Sequence, residues 1–194
     1  MAEPSAWVVR WSAIFAPGAC VLDVAAGSGR HITWLSAQGF RVTAVDRDAE
    51  AMQRLSGHAE TIVADLEQNP WPLPGRRFDA VVVTNYLWRP LFTNLVAALA
   101  EGGVLVYETF AAGQETVGRP SRPDFLLGPG ELLHAVKGLR IVAFEDGLLR
   151  GPERFVQRIV AVREQASVSP ARYPLDPSPG QPGSVESTDS GTLE

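Results

Sequence analysis

The stretch Val21-Leu22-Asp23-Val24-Ala25-Ala26-Gly27-Ser28-Gly29-Arg30-His31 has the pattern of a hydrophobic strand that leads into a glycine-containing turn. A helical pattern follows the turn at once, and a second strand over residues 41–45 ends at Asp46. A turn built only from Ala, Gly and Ser lets backbone N–H groups approach a ligand closely, with a helix N-terminus behind them. An acid at the end of the next strand is placed to accept hydrogen bonds from ribose hydroxyls. This arrangement predicts an α/β fold and a site for a nucleoside-containing ligand.

The details of the turn argue against a nicotinamide dinucleotide. That ligand needs G-x-G-x-x-G, but Ala25 stands at the first glycine position and Ile32 at the last. Asp23 also lies in the apolar strand, two residues before the turn. A carboxylate there repels a pyrophosphate and attracts a cationic amino-acid end, such as that of S-adenosylmethionine, and a low dielectric strengthens both effects.

These residues resemble motif I of the class I S-adenosylmethionine-dependent methyltransferases, written acid-x-G-x-G-x-G, with Ala25 in place of the first glycine. The resemblance continues to Asp46 in the ribose role and to Asp65, which the family places near the adenine amino group. Roughly residues 20–164 match the family in order and spacing. Within the superfamily the chain is most similar to the compact tellurite-resistance and thiopurine type.

The resemblance implies a three-layer Rossmann-like fold with a mostly parallel seven-stranded sheet and an antiparallel last strand. It also implies S-adenosylmethionine as the cofactor. The residues that it assigns to cofactor binding are Asp23, Ala25, Gly27, Gly29, Asp46, Arg47, Asp65, Leu66 and Asn85.

Simpler roles for single acids remain open. Asp23 alone is compatible with a structural carboxylate that accepts backbone N–H groups, and Asp65 alone with a helix N-cap. Three acids at successive strand ends, in this order, favour the cofactor site.

Composition limits the class of protein. With 194 residues, 45% of them hydrophobic, the chain suits one sizeable domain. No apolar run is long enough to span a membrane, and no secretory signal is evident at the N-terminus. Cys20 is the only cysteine, which excludes an intramolecular disulfide and a cysteine-rich metal site. We therefore expect a cytoplasmic location.

The charge distribution argues against a nucleic-acid substrate. The net charge is −5, and residues 165–194 hold four acidic residues and one basic residue. The remaining domain is close to neutral, whereas a nucleic-acid surface normally shows a basic excess. The oligomeric state is left open.

Residues 1–164 are predicted to form one methyltransferase domain, with an N-terminal helix in 1–16 capped by Ser5 and a core in 20–164. The helix has a bulky face that includes Trp7 and Trp11, and in the resembling family it often closes over the cofactor. Strands are expected at 20–25, 41–46, 60–64, 78–84 and 103–109, and helices at 29–38, 48–56 and 91–100.

Later segments differ from this alternation. Segments 139–145 and 154–163 predict an antiparallel hairpin, with turn signals at Asp146-Gly147 and Gly151-Pro152. Residues 165–194 are rich in Ser, Pro and Gly, and this tail is predicted to be disordered because it has little apolar surface to bury.

The substrate site is expected beyond the carboxyl ends of the fourth and fifth strands, where ligands bind in open α/β sheets. The 111–129 loop follows the fifth strand, and a connection of this length without its own secondary structure is usually functional. Pro129 suits the first turn of the next helix. The candidate substrate-binding residues are Tyr86, Trp88, Arg89, Tyr107, Arg119 and Arg122.

Glu108 and His31 are the candidate general bases. Glu108 ends the fifth strand, and His31 lies just past the glycine turn. A sulfur or metalloid acceptor would need neither. No His or acidic pair has convincing metal-ligand spacing, so no metal is expected.

The sequence thus predicts a methyltransferase that acts on a small molecule. Two alternatives stay open: a regulatory protein that binds S-adenosylmethionine without turnover, and an RNA or protein methyltransferase. An Arg76, Arg77, Arg119 and Arg122 patch at the pocket mouth would favour the latter.

Overall fold

A single seven-stranded sheet organises the chain, for which the computed structural model describes residues 2–165 and 172–175. The strands are β1 (Cys20–Val24), β2 (Arg41–Asp46), β3 (Glu60–Val63), β4 (Phe78–Thr84), β5 (Leu99–Phe110), β6 (Arg140–Leu149) and β7 (Arg154–Val162). The helices are α1 (Ala6–Trp11), α2 (Arg30–Ala37), α3 (Ala49–Leu55), α4 (Phe92–Ala97) and α5 (Glu131–Ala135). The strand order is β3-β2-β1-β4-β5-β7-β6.

The first five strands are parallel because each is connected to the next by a crossover. Val81, Val82 and Val83 in β4 are all fully buried, as expected for a central strand with both faces covered. Alternate residues feed two core clusters: Val81 and Val83 belong to one, and Val82 belongs to the other. Helix α1 packs into the second cluster through Trp7 and Trp11.

The predicted antiparallel last strand is confirmed. Strand β7 pairs antiparallel with both β5 and β6 and lies between them. The predicted turn at Asp146-Gly147 is wrong, because both residues pair with β7 inside β6. The chain reverses only after Leu149, near Gly151, which has a φ of +73°.

Several element ends differ from the prediction. Helix α1 stops at Trp11, and a 3-10 turn continues it to Ile14. Helix α4 stops at Ala97, because the chain enters β5 at Leu99. Pro129 lies before α5, which is capped by Gly130 in the left-handed conformation.

The 111–129 loop is more ordered than predicted. It contains two 3-10 turns, Gln114–Thr116 and Pro123–Phe125, and a bridge between Ala111 and Leu127. Buried Gln114 donates to the Arg119 carbonyl and accepts the Phe155 N–H at 2.9 Å. The loop is therefore fixed to β7 rather than free.

Part of the predicted disordered tail is described. Arg10 donates to the Leu175 carbonyl at 2.7 Å, and Arg140 stacks on Tyr173. Residues 166–171 and 176–194, where the rest of that prediction falls, lie outside the described residues.

Candidate active site

The turn between β1 and α2 adopts an unusual backbone. Ala25, Gly27 and Gly29 have φ values of +55°, +56° and +80°, in the left-handed region. At Gly29 a β-carbon would meet the side chain of Leu55 at 2.4 Å, so the position requires glycine. Ala25 takes this conformation despite its side chain, and it occupies the position of the motif's first glycine.

Asp46 fixes this turn to the end of β2. Its Oδ2 accepts the Gly27 N–H at 2.7 Å, and its Oδ1 accepts the Asp48 N–H at 2.9 Å. The carboxylate is partly buried and still faces the adjacent cavity. The glycine turn and the predicted ribose acid therefore form one unit.

A cavity of about 190 Å³ opens beside that unit. Its lining residues are Ala25, Asp46, Arg47, Ala64, Asp65, Leu66, Glu67 and Tyr86. Asp65 Oδ1 accepts the N–H groups of Glu67 and Gln68, so this acid also caps a turn. Burial, with several carboxylates nearby, raises the pKa of Tyr86 above its usual value and keeps its hydroxyl neutral.

Asp23 is a buried carboxylate with an unsatisfied oxygen. The residue is 1% exposed, and its Oδ2 has no hydrogen-bond partner among the described residues. Desolvation raises its pKa to about 7, Arg30 opposes this rise, and Asp46 adds to it. A buried charge without a partner is costly, so the group is poised for a cationic ligand.

His31 lies next to Asp23 but does not form an ion pair with it. The atoms His31 Nδ1 and Asp23 Oδ2 are 3.8 Å apart. Burial, and secondarily Arg30, lowers the pKa of His31 to about 4, so the ring is neutral at pH 7. Its Nε2 accepts the Ser5 N–H at 3.2 Å, which leaves the proton of the neutral ring on Nδ1. The predicted base therefore has its acceptor nitrogen already engaged.

Glu108, the other candidate base, is also engaged. It is 1% exposed and accepts the Ser5 hydroxyl at 3.0 Å through Oε1. Arg158 Nη1 lies 3.4 Å from its Oε2, and the same guanidinium donates to Glu145. The carboxylate is therefore a buried anchor.

These polar residues form a row across the sheet. Thr84, Glu108, Arg158 and Glu145 are direct cross-strand partners on β4, β5, β7 and β6. Residues two positions away, such as Val82 and Val106, face the core cluster that includes α1, so period-2 alternation places the row on that side. The N-terminus of α1 therefore meets a polar edge rather than an apolar one.

Two predicted substrate-binding residues make extensive contacts within the fold. Arg89 donates twice to Glu131, at 2.7 and 2.9 Å, and also to the carbonyls of Asp124 and Leu126. It fastens the 111–129 loop to α5. Tyr107 is buried in the opposite core cluster, and its hydroxyl donates to the Tyr86 carbonyl at 2.8 Å.

The other predicted substrate residues are less constrained. Arg119 is exposed, and Arg122, with a side chain 71% exposed, pairs with Asp124. Trp88 packs partly buried against the core. Asn85 directly follows β4 in the left-handed conformation, which Asn tolerates better than most residues, and its N–H donates to the Glu108 carbonyl.

The arginine patch that would favour a macromolecular substrate does not form. Arg76 and Arg77 precede β4 at its amino end, whereas Arg119 and Arg122 follow the carboxyl end of β5. Within the described part of the chain, no group of three His, Cys, Asp or Glu residues could hold a metal ion. No helix in that part is both long and apolar enough to cross a membrane.

Sequence reasoning missed Arg30 and Arg158 and saw Ser5 only as a helix cap. Arg30 follows the glycine turn and donates weakly to Thr84 Oγ1, at 3.3 Å. The only sequence signal for it was a cation next to motif I. No local pattern pointed to Arg158, whose role depends on β7 lying next to β5.

A family model described as a methyltransferase domain matches residues 21–103, from the start of β1 into β5. This match shows a methyltransferase domain in that part of the chain and agrees with the predicted resemblance to the class I S-adenosylmethionine-dependent methyltransferases. The cofactor of the chain is accordingly S-adenosylmethionine, as predicted. No curated protein sequence matches the chain.

Several solved structures share the fold of this chain. TehB from Haemophilus influenzae is 18% identical with a TM-score of 0.70; the match covers 83% of this chain and 63% of TehB, less than two thirds of its length. A TehB-like methyltransferase from Corynebacterium glutamicum is 23% identical, with a TM-score of 0.60 and coverage of 80% and 86%. The N-methyltransferase NodS from Bradyrhizobium japonicum is 19% identical, with a TM-score of 0.62 and coverage of 82% and 93%.

The residues of this methyltransferase domain fit the cofactor chemically. Asp23 offers a buried carboxylate oxygen without a partner to a cationic ammonium group. Asp46 and Asp65 supply acceptors at the wall of the cavity, and the close-packed turn at Gly29 leaves no room for a side chain.

Proposed function

We propose that the protein transfers the methyl group of S-adenosylmethionine to a small-molecule acceptor. The main support is the buried, unpartnered Oδ2 of Asp23, next to a glycine turn and in electrostatic contact with Arg30 and Asp46. Such a carboxylate destabilises the free protein, so it needs a cationic ligand to explain its presence.

Each predicted cofactor residue has a corresponding role in this proposal. Asp23 holds the ammonium group, and backbone N–H groups around Gly27 and Gly29 line the turn. Asp46 accepts the ribose hydroxyls, while Asp65 and Leu66 contact the adenine. Arg47 lines the same cavity. Asn85 directly follows β4, at the end of the strand from which the acceptor approaches.

When bound, S-adenosylmethionine supplies a sulfonium methyl group that is already activated for transfer. The protein then has to align the acceptor and exclude water. The fixed 111–129 loop and the docked α1 suit both tasks. Since His31 and Glu108 are engaged by Ser5, we propose an acceptor that needs no deprotonation by these side chains, such as a thiolate or a metalloid oxyanion.

The preference for a small molecule is supported by charge. Arg76 and Arg77 lie before the amino end of β4, whereas Arg119 and Arg122 lie beyond the carboxyl end of β5, so these four arginines form no continuous basic surface. Trp88 and the 111–129 loop, together with Arg119 and Arg122, remain the proposed acceptor contacts.

Labelled S-adenosylmethionine incubated with panels of thiols, metalloid oxyanions, amines and hydroxy compounds tests the proposal. We expect one panel to yield a labelled product that is lost in Asp23→Ala. Transfer to amines or hydroxyls with a pH profile governed by a protein base would contradict the proposed acceptor class.

The second candidate is a regulatory protein that binds the cofactor without turnover. The engagement of both candidate bases favours it, because Ser5 already occupies the acceptor nitrogen of His31 and one carboxylate oxygen of Glu108. Tight calorimetric binding of S-adenosylmethionine with no product from any panel, RNA and protein included, would support this alternative over catalysis.

A further inference from the structure

Ser5 joins the start of α1 to His31 in the first turn of α2 and to Glu108 near the end of β5. Its N–H donates to His31 Nε2 at 3.2 Å, and its hydroxyl donates to Glu108 Oε1 at 3.0 Å. The two partners lie 26 and 103 residues further along the chain. Ser5 itself is buried, so water does not compete for these bonds.

These contacts exceed what helix capping requires. An N-cap serine uses its side-chain oxygen as an acceptor, and Ser5 does so for the Trp7 N–H at 3.2 Å. The Ser5 carbonyl accepts the Val9 N–H in the usual helical way. The hydroxyl proton and the backbone N–H are not needed by the cap, and both are directed to site residues.

On one side the connection leads to Asp23. His31 is neutral, and its protonated Nδ1 lies 3.8 Å from the unpartnered Oδ2 of Asp23. The neutral ring therefore places its Nδ1–H group near the carboxylate but carries no positive charge that would compensate the charge of Asp23. If α1 moved away, water would reach His31 and then Asp23.

On the other side the connection leads to Glu108 and Arg158. The Arg158 guanidinium also stacks over the Trp7 ring at 4.5 Å, so α1 is held from a second point on β7. The Trp7 Nε1 donates to the Ile159 carbonyl at 3.4 Å. Ser5 and Trp7 together fasten one end of α1 to the polar row of the sheet.

We propose that Ser5 is a positioning residue for the amino-acid end of the cofactor: it clamps α1 over Asp23 and keeps that carboxylate out of water. This inference rests on the proposed function. A carboxylate attracts an ammonium group more strongly in a low dielectric than in water, so exposure of Asp23 weakens cofactor binding. The cavity proposed for the adenosine is lined by Asp46 and Asp65 but not by Ser5 or His31, so we expect adenosine binding not to depend on the clamp.

Two ligands separate these contributions in calorimetry. S-adenosylhomocysteine carries the amino-acid end, whereas 5′-methylthioadenosine keeps the adenosine and lacks that end. We expect Ser5→Ala to lower the affinity for S-adenosylhomocysteine by about tenfold, as for one lost charge interaction of about 1.4 kcal/mol. Its affinity for 5′-methylthioadenosine should stay within about twofold of the wild type.

Further variants separate positioning from stability. Ser5→Asp keeps a good N-cap but cannot donate to Glu108, and it should show the same selective loss. Ser5→Thr keeps the donor and should restore affinity for S-adenosylhomocysteine. Ser12→Ala is the matched control, because Ser12 is a buried serine just after α1 whose hydroxyl donates only to the Val9 carbonyl.

Equal losses for both ligands in Ser5→Ala and Ser5→Asp would overturn the proposal and assign Ser5 a purely structural role. Unchanged affinity for both ligands would overturn it as well. If the wild type binds neither ligand, the proposed function itself fails, which is a different result from a loss confined to the variants.

Discussion

Replacing Asp23 with asparagine should stabilise the free protein in a pH-dependent way. Desolvation raises the Asp23 pKa from 3.8 to about 7 in the folded state. The folded carboxyl group therefore holds its proton more tightly than the unfolded one, and stability falls as pH rises from about 4 to about 7. Above pH 7 the wild-type protein has lost about 4 kcal/mol of unfolding free energy through this group, since a shift of one pKa unit corresponds to about 1.4 kcal/mol.

The variant lacks this titration. The unfolding free energy of Asp23→Asn minus that of the wild type should be about 2 kcal/mol larger at pH 8 than at pH 5.5. The amide introduced by Asp23→Asn does not titrate, so any cost of burying it is the same at both pH values, and the pH-dependent difference is the quantity to measure. It corresponds to an increase of about 4–8 °C in the relative Tm.

Urea denaturation at the two pH values, without cofactor, measures this difference. Asp79→Asn removes one exposed carboxylate from neighbouring β4 and serves as the control for net charge. The Asp23→Asn variant should also lose most of its affinity for S-adenosylhomocysteine at pH 8. An advantage of Asp23→Asn that is equal at pH 5.5 and pH 8 would refute the assignment of a titrating buried carboxylate.

Three further substitutions test other parts of the site. Gly29→Ala should destabilise the protein by about 2–3 kcal/mol in chemical denaturation, since the new β-carbon would lie 2.4 Å from Leu55 at a φ of +80°; a loss below 0.5 kcal/mol would contradict the packing. Ala25→Gly should raise stability by up to about 1 kcal/mol and preserve cofactor affinity, because glycine relieves the left-handed strain; a destabilised variant would show that the alanine methyl is needed. Arg89→Ala should increase proteolysis within the 111–129 loop, whereas Arg122→Ala, with a side chain 71% exposed, should not; equal cleavage of both would remove the loop-fastening role.

The strand–turn–helix unit and its acids were predictable because local rules govern them. A buried strand, a turn of small residues and a following helix are all specified within about twenty residues of sequence. Asp46 and Asp65 came from the same logic, since Asp46 is the last residue of β2 and Asp65 lies two residues after β3. The wall of the cavity contains both residues.

The connections of Ser5 and Glu108 were not predictable in the same way. Glu108 is placed at the end of β5 by its own strand, but its partners come from residue 5 and from β7. Arg158 reaches it only because β7 inserts between β5 and β6. The hairpin was expected, yet nothing local fixed the register that pairs these two residues.

Tyr107 and Arg89 show a second limit of sequence reasoning. Both occupy positions near strand ends where ligands bind, so position alone favoured substrate contact. Neighbouring residues of a strand face opposite sides, and Tyr107 faces the core while Glu108 faces α1. For Arg89, four acceptors supplied by the loop and α5 take up the guanidinium.

The two buried carboxylates Glu108 and Asp23 differ in their partners, although both are almost completely buried. Glu108 has a hydroxyl and a guanidinium as partners, so it is compensated in the free protein and contributes to the anchoring of α1. Asp23, equally buried, has an oxygen without a partner and bears the cost of desolvation. The contrast between the two carboxylates supports our proposal that Glu108 anchors α1 and that Asp23 binds the ligand. A general-base role for Glu108 would require the Ser5 clamp to open during the reaction, exposing the same crevice to water that transfer has to exclude.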